Sequence, residues 1–149
     1  MTDLPSVTMR IPLPFSGGRA AERRAARYLR GIGFDVVERN ARTAHGEIDI
    51  VCVDGDTVVL VEVRFRRRGL GAALDSIDAG KRRSLRRAAR EYLRQERLRH
   101  TPARIDLVAL TRDEEGWILR HRRAVVALDG AGQSGPEAGR MGNAGSGPG

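Results

Sequence analysis

Residues 46–65 read GEIDIVCVDGDTVVLVEVRF, two runs rich in valine and isoleucine on either side of Asp54-Gly55. Both runs have strand length, and an Asp-Gly pair suits a tight turn because glycine tolerates the positive φ that such a turn demands. The segment therefore predicts a hairpin with strands Glu47 to Val53 and Thr57 to Arg66. With Asp54-Gly55 as a two-residue turn, Val53 pairs with Asp56, Asp49 lies opposite Leu60 and Glu47 opposite Glu62. Asp49 and Glu62 then share one face as diagonal neighbours, about 7–8 Å apart. This placement rests on parity, since a one-residue slip turns Asp49 to the other face.

Two carboxylates so placed repel each other unless positive charge lies between them. Glu62 sits between Val61 and Val63 in VVLVEVRF, a run that reads as buried on both faces, where a lone charge is costly. Arg64, on the same face, offers an ordinary ion pair. A divalent cation offers another resolution, because Mg2+ takes one or two protein carboxylates while water and substrate phosphate fill its remaining positions.

Working outward, Arg19 to Arg30 carries Ala21, Ala25, Tyr28, Leu29 and, just beyond, Ile32 at helical spacing, with Arg23, Arg27 and Arg30 on the opposite side. Gly31 or Gly33 ends this helix. Glu22 borders its apolar stripe and can lean toward the sheet. Phe34 to Arg39 reads as a strand. A second helix is expected from about Ser76 to Leu98, with Ile77, Leu85, Ala88, Ala89 and Tyr92 as its buried stripe. Lys81, the only lysine of the chain, falls inside that stripe, while Arg82, Arg83, Arg86, Arg87, Arg90 and Arg94 avoid it. Its ordinary role would be a snorkelling stem. Strands Ala103 to Leu110 and Trp117 to Val126 follow. The order α-β-β-β-α-β-β predicts a single α/β domain with a mixed central sheet flanked by helices, in which Glu22, Asp49, Glu62, Arg64 and Lys81 can converge at one end.

Met1 to Ser16, with Pro5, Pro12 and Pro14, reads as a flexible lead (1–16), and the folded unit spans 17–128. The glycine-rich segment 129–149 buries almost nothing and reads as a disordered tail. A chain of 149 residues is one ordinary domain, and no run of about 18 apolar residues or secretory signal is present. A membrane partner is therefore not expected. The single cysteine, Cys52, excludes an internal disulfide and fits a cytoplasmic setting as a small core residue. A net charge of +8 favours polyanionic partners, nucleic acid first, although an arginine excess this one-sided is also what a GC-rich genome produces. His100 and His121 read as surface residues, Trp117 as packing on the sheet edge, and His45 lies near the proposed site. With aromatic residues at 4%, a stacking platform for single strands is not supported.

The succession GRAAERRAARYLRGIGFDVVERNART, GEIDIVCVDGDTVVLVEVRFR, DSIDAGKRRSLRRAAREYL and RIDLVAL resembles the YraN family of small bacterial proteins over about Gly18 to Leu110. The resemblance implies a restriction-endonuclease-like fold, a relationship to archaeal Holliday-junction resolvases, and a PD-(D/E)xK nuclease site. On that pattern Asp49 and Glu62-Val63-Arg64 stand for the D and the ExK, Glu22 for the helix-borne acid, and Lys81 for a lysine that the family usually carries. It implies one or two Mg2+ or Mn2+ ions held by Asp49, Glu62, the Val63 carbonyl and Glu22, DNA as partner, branched or structured DNA included, and a homodimer. One departure is Arg64 where the motif has lysine, since arginine keeps its proton and cannot act as a base. Three functions stand: a metal-dependent endonuclease, a non-catalytic nucleic-acid-binding module on the same fold, and a structural or assembly factor.

Overall fold

The computed structural model describes residues 18–128 and the backbone of 7–11; the tail reading for 129–149 lies outside the described residues. Nine elements follow in order: β1 (Val7–Ile11), α1 (Gly18–Gly31), β2 (Asp35–Thr43), β3 (Gly46–Asp54), β4 (Thr57–Phe65), α2 (Leu70–Asp75), α3 (Ala79–Gln95), β5 (Ala103–Asp113) and β6 (Gly116–Val126). They build one six-stranded sheet in the order β1-β6-β5-β4-β3-β2. Only β4 and β5 run parallel, joined by the α2–α3 crossover, so the sheet is mixed as its element order predicts.

Each face of the sheet is covered by helix. On one, Ala21, Ala25 and Leu29 of α1 pack on Ile50, Cys52, Val59, Val61, Val108 and Leu110. On the other, Leu85, Ala88, Ala89 and Tyr92 of α3 pack on Val51, Val58, Leu60, Ile105 and Leu107. Strands β4 and β5 contribute alternate residues to both cores, which is why their sequences are apolar at nearly every position. Cys52 is fully buried and its thiol is pushed up to about 12, first by burial, as expected of a core residue. Among the described residues no helix is long and apolar enough to cross a membrane.

Four departures from the sequence expectation have physical causes. Residues of the lead are not all without structure: Val7–Ile11 is an edge strand antiparallel to β6, from Val7↔His121 to Ile11↔Trp117. Ile32, expected in the α1 stripe, is 40% exposed, because the chain leaves the helix there through Gly33 at φ 95. The helix expected from Ser76 to Leu98 is α3, which starts at Ala79 because Asp78 caps it by accepting the Lys81 N–H at 2.8 Å, and the short α2 before it was not expected. Finally, His121 is buried, as is Trp117, which lies under the Arg24 guanidinium, 4.9 Å from the ring centroid.

Candidate metal centre

The hairpin sets the site. Its closing pair is Asp54↔Thr57 rather than Val53 with Asp56, with Gly55 at φ 58 in the first turn position. Each strand therefore slides by one residue, which preserves parity. The ladder runs to Ile50↔Val61 and ends there, with Asp49 and Glu62 the next residue on each strand. The Asp49 and Glu62 carboxyls are close enough for each to influence the other's protonation. Asp49 Oδ2 accepts the Val63 N–H at 2.8 Å, so a side chain does the work of the sheet where the two strands part.

Glu62 is 5% exposed and meets two cations through one oxygen. Lys81 Nζ, in the first turns of α3, lies 3.0 Å from Glu62 Oε1, and Arg64 Nε lies 3.2 Å from the same atom. The Arg64 Nε makes no hydrogen bond, so that contact is purely electrostatic. Burial, and then the charge of Asp49, pushes the Glu62 carboxyl up to about 7, against the pull of Lys81 and Arg64. Asp49 is also raised, chiefly by burial and despite the Val63 N–H.

Glu22 approaches from α1, half-buried, its carboxyl raised by burial first and by Asp49 next. With the Asn40 amide nitrogen turned toward the acids, Nδ2 donates to Glu47 Oε1 at 2.9 Å and to Glu22 Oε2 at 3.1 Å. The expected three-acid shell is therefore not assembled: among the described residues no three of His, Cys, Asp and Glu are gathered to hold an ion. What is brought together is the pair Asp49–Glu62 with Lys81 and Arg64, and Glu22 is engaged by Asn40 instead. Val63 contributes its N–H; its carbonyl belongs to the same strand. His45 is exposed in the β2–β3 turn, its backbone N–H donated to Thr43 Oγ1 at 3.1 Å.

A family model described as Uncharacterised protein family UPF0102 matches residues 21–110. The chain belongs to this family. Its UPF0102 relatives include a protein of Dehalococcoides mccartyi, 42% identical over 94 residues, covering 62% of this chain and 78% of the relative. A Pseudomonas putida relative is 48% identical over 99 residues, covering 65% and 80%. One from Alcanivorax borkumensis is 41% identical over 104 residues, covering 68% and 83%. The UPF0102 segment holds Glu22, Asn40, Asp49, Glu62, Arg64 and Lys81 together, and ends before β6.

Asn40 was not singled out by the sequence, and Glu47 entered only as a register position. The available signal was an asparagine between Arg39 and Ala41, a residue type that strands avoid unless it does something local. His121, expected at the surface, instead sits in a buried network on the α1 face. Tyr28 Oη lies 3.1 Å from His121 Nδ1, and His121 Nε2 lies 2.8 Å from Asp106 Oδ2.

The pH dependence of stability follows from Glu62. Its folded value lies above the ordinary 4.5, so the folded chain holds more protons than the unfolded one between about 4.5 and about 7, and stability falls as pH rises through that window. Glu62→Gln should flatten the dependence and raise stability at pH 8, by on the order of 1–3 kcal/mol. Urea denaturation at pH 5 and pH 8 checks it. An equal loss of stability at both pH values would show that Glu62 is held by its cations without strain.

Proposed function

We propose that this UPF0102 protein is a metal-dependent endonuclease that hydrolyses DNA phosphodiester bonds, with branched or otherwise non-standard DNA as the expected substrate class. The observation that carries the reading is the pairing of half-buried Asp49 with buried Glu62 on adjoining strands β3 and β4, with Lys81 Nζ 3.0 Å from Glu62. Two carboxylates without a third protein ligand suit an oxygen-preferring cation that keeps water and phosphate in its shell. Mg2+ or Mn2+ bound there would acidify a water and polarise the scissile phosphate. Asp49 and Glu62 would hold the ion, and the Val63 N–H fixes the Asp49 carboxylate for that task. Lys81 and Arg64 stand ready to neutralise charge developing on the phosphate once Glu62 is shared with a cation.

Beyond Arg64 the chain leaves β4 through Arg66, Arg67 and Arg68, all exposed. These side chains are placed to hold phosphates flanking the site, without reading bases. Substituting all three by alanine should weaken binding of a short duplex and reduce the slope of log K against log salt by about 2–3. Fluorescence anisotropy over a salt series measures both, and an unchanged slope would remove this loop from the interface.

A non-catalytic nucleic-acid-binding module is the second reading, favoured by Arg64 at the strand position where the nuclease motif carries lysine. A guanidinium does not release its proton, whereas a partly buried ammonium can be tuned. Lys81 supplies that ammonium from α3. Calorimetric titration with Mn2+ separates the readings: binding lost in Asp49→Ala and Glu62→Ala supports the enzyme, and DNA affinity indifferent to metal supports the module.

A further inference from the structure

Asn40 lies within β2 at φ 53, the left-handed region that few residues other than glycine enter. Asparagine is one of them. Its neighbours pair as Arg39↔Ile50 and Ala41↔Ile48, so Asn40 falls opposite Asp49. Its amide is committed to two carboxylates on different elements, Glu47 on β3 and Glu22 on α1. We infer that Asn40 is a positioning residue that pins Glu22 of α1 to the strand pair bearing Asp49; the inference rests on the metal-site reading above.

The chemistry of the residue fits the task. Glu22, Glu47 and Asp49 repel one another, and Arg19 and Arg39 compete for Glu22. Left free, the Glu22 side chain gains by swinging toward those arginines. One primary amide carries two N–H donors, one for each carboxylate. Being neutral, it holds them without cancelling the negative charge that attracts a cation. Lysine or arginine at this position would hold the acids equally well and would displace the metal. The left-handed backbone selects asparagine over other neutral donors, since glutamine rarely adopts it.

Asn40→Gly deletes the amide and keeps the backbone conformation accessible. Two measurements on the full chain decide the matter. In a 1H–15N spectrum without metal, the Asn40 side-chain amide peaks should move on Glu22→Gln and on Glu47→Gln. In an Mn2+ titration followed by electron paramagnetic resonance, Asn40→Gly should weaken binding about tenfold, the scale of losing a support outside the ligands themselves, because Glu22 then leaves the acidic surround of Asp49, with little change in melting temperature. Amide peaks that ignore both substitutions, or Mn2+ affinity equal in the wild type and Asn40→Gly, would overturn the inference. A wild type that takes up no Mn2+ would instead remove the metal-site reading, and the amide peaks would still decide whether Asn40 pins Glu22.

Discussion

Asp106→Ala should lower folding stability by about 3–5 kcal/mol, the loss expected when one partner of a buried ionic network is deleted. Asp106 is 0% exposed. It accepts from His121 Nε2 at 2.8 Å, Arg104 Nε at 3.0 Å and the Ala124 N–H at 2.9 Å. Alanine leaves the buried His121 Nε2 without its acceptor, removes one acceptor each from Arg104 and the Ala124 N–H, and takes away the contact that orients His121 toward Tyr28 of α1. Arg104 keeps Asp54 at 3.0 Å, which limits the loss. Burial alone would raise the Asp106 carboxyl, but the bonds from His121, Ala124 and Arg104 prevail and hold it below its usual range. The stabilisation is therefore complete above the ordinary carboxylate value and is lost as pH falls through the lower folded value. Urea denaturation at pH 7 measures the effect; a loss under about 1 kcal/mol would mean that the network adds little beyond shape.

The second large effect is on turnover. Lys81→Ala should reduce cleavage by on the order of 10²–10³, the usual result of removing one charge that stabilises the transition state. Arg64→Lys should retain or raise activity, because its ammonium occupies a slot already facing Glu62. Single-turnover cleavage separates the two, and DNA affinity measured alongside shows whether Lys81 acts in chemistry or in binding. Should Arg64→Lys abolish cleavage while Lys81→Ala leaves it intact, the assignment of Lys81 would be wrong.

Much of this was legible in the chain because period-two patterning survives small errors of register. Moving the turn from Asp54-Gly55 to Gly55-Asp56 shifts both strands together, so Asp49 and Glu62 keep a common face. Lys81 was legible as the inward basic residue of an arginine-faced helix. The short helix α2 was not, since six residues, Leu70–Asp75, are too few to show a helical period. Nor was the Tyr28–His121–Asp106 line, whose first two members are 93 residues apart and meet only after β6 has docked. Asn40 escaped for another reason: its role lies in a backbone angle, which spacing does not encode.

In the proposed function Asp49 and Glu62 hold the catalytic cation of a DNA-cleaving enzyme. Its most direct test is cleavage of labelled duplex, single-stranded and four-way-junction DNA by the full chain with Mn2+, beside Asp49→Ala/Glu62→Ala purified identically. Metal-dependent strand cuts are expected from the wild type and none from the double variant, with DNA affinity largely kept. Cleavage of equal rate in both proteins, or none by the wild type on any of the three substrates, would contradict it.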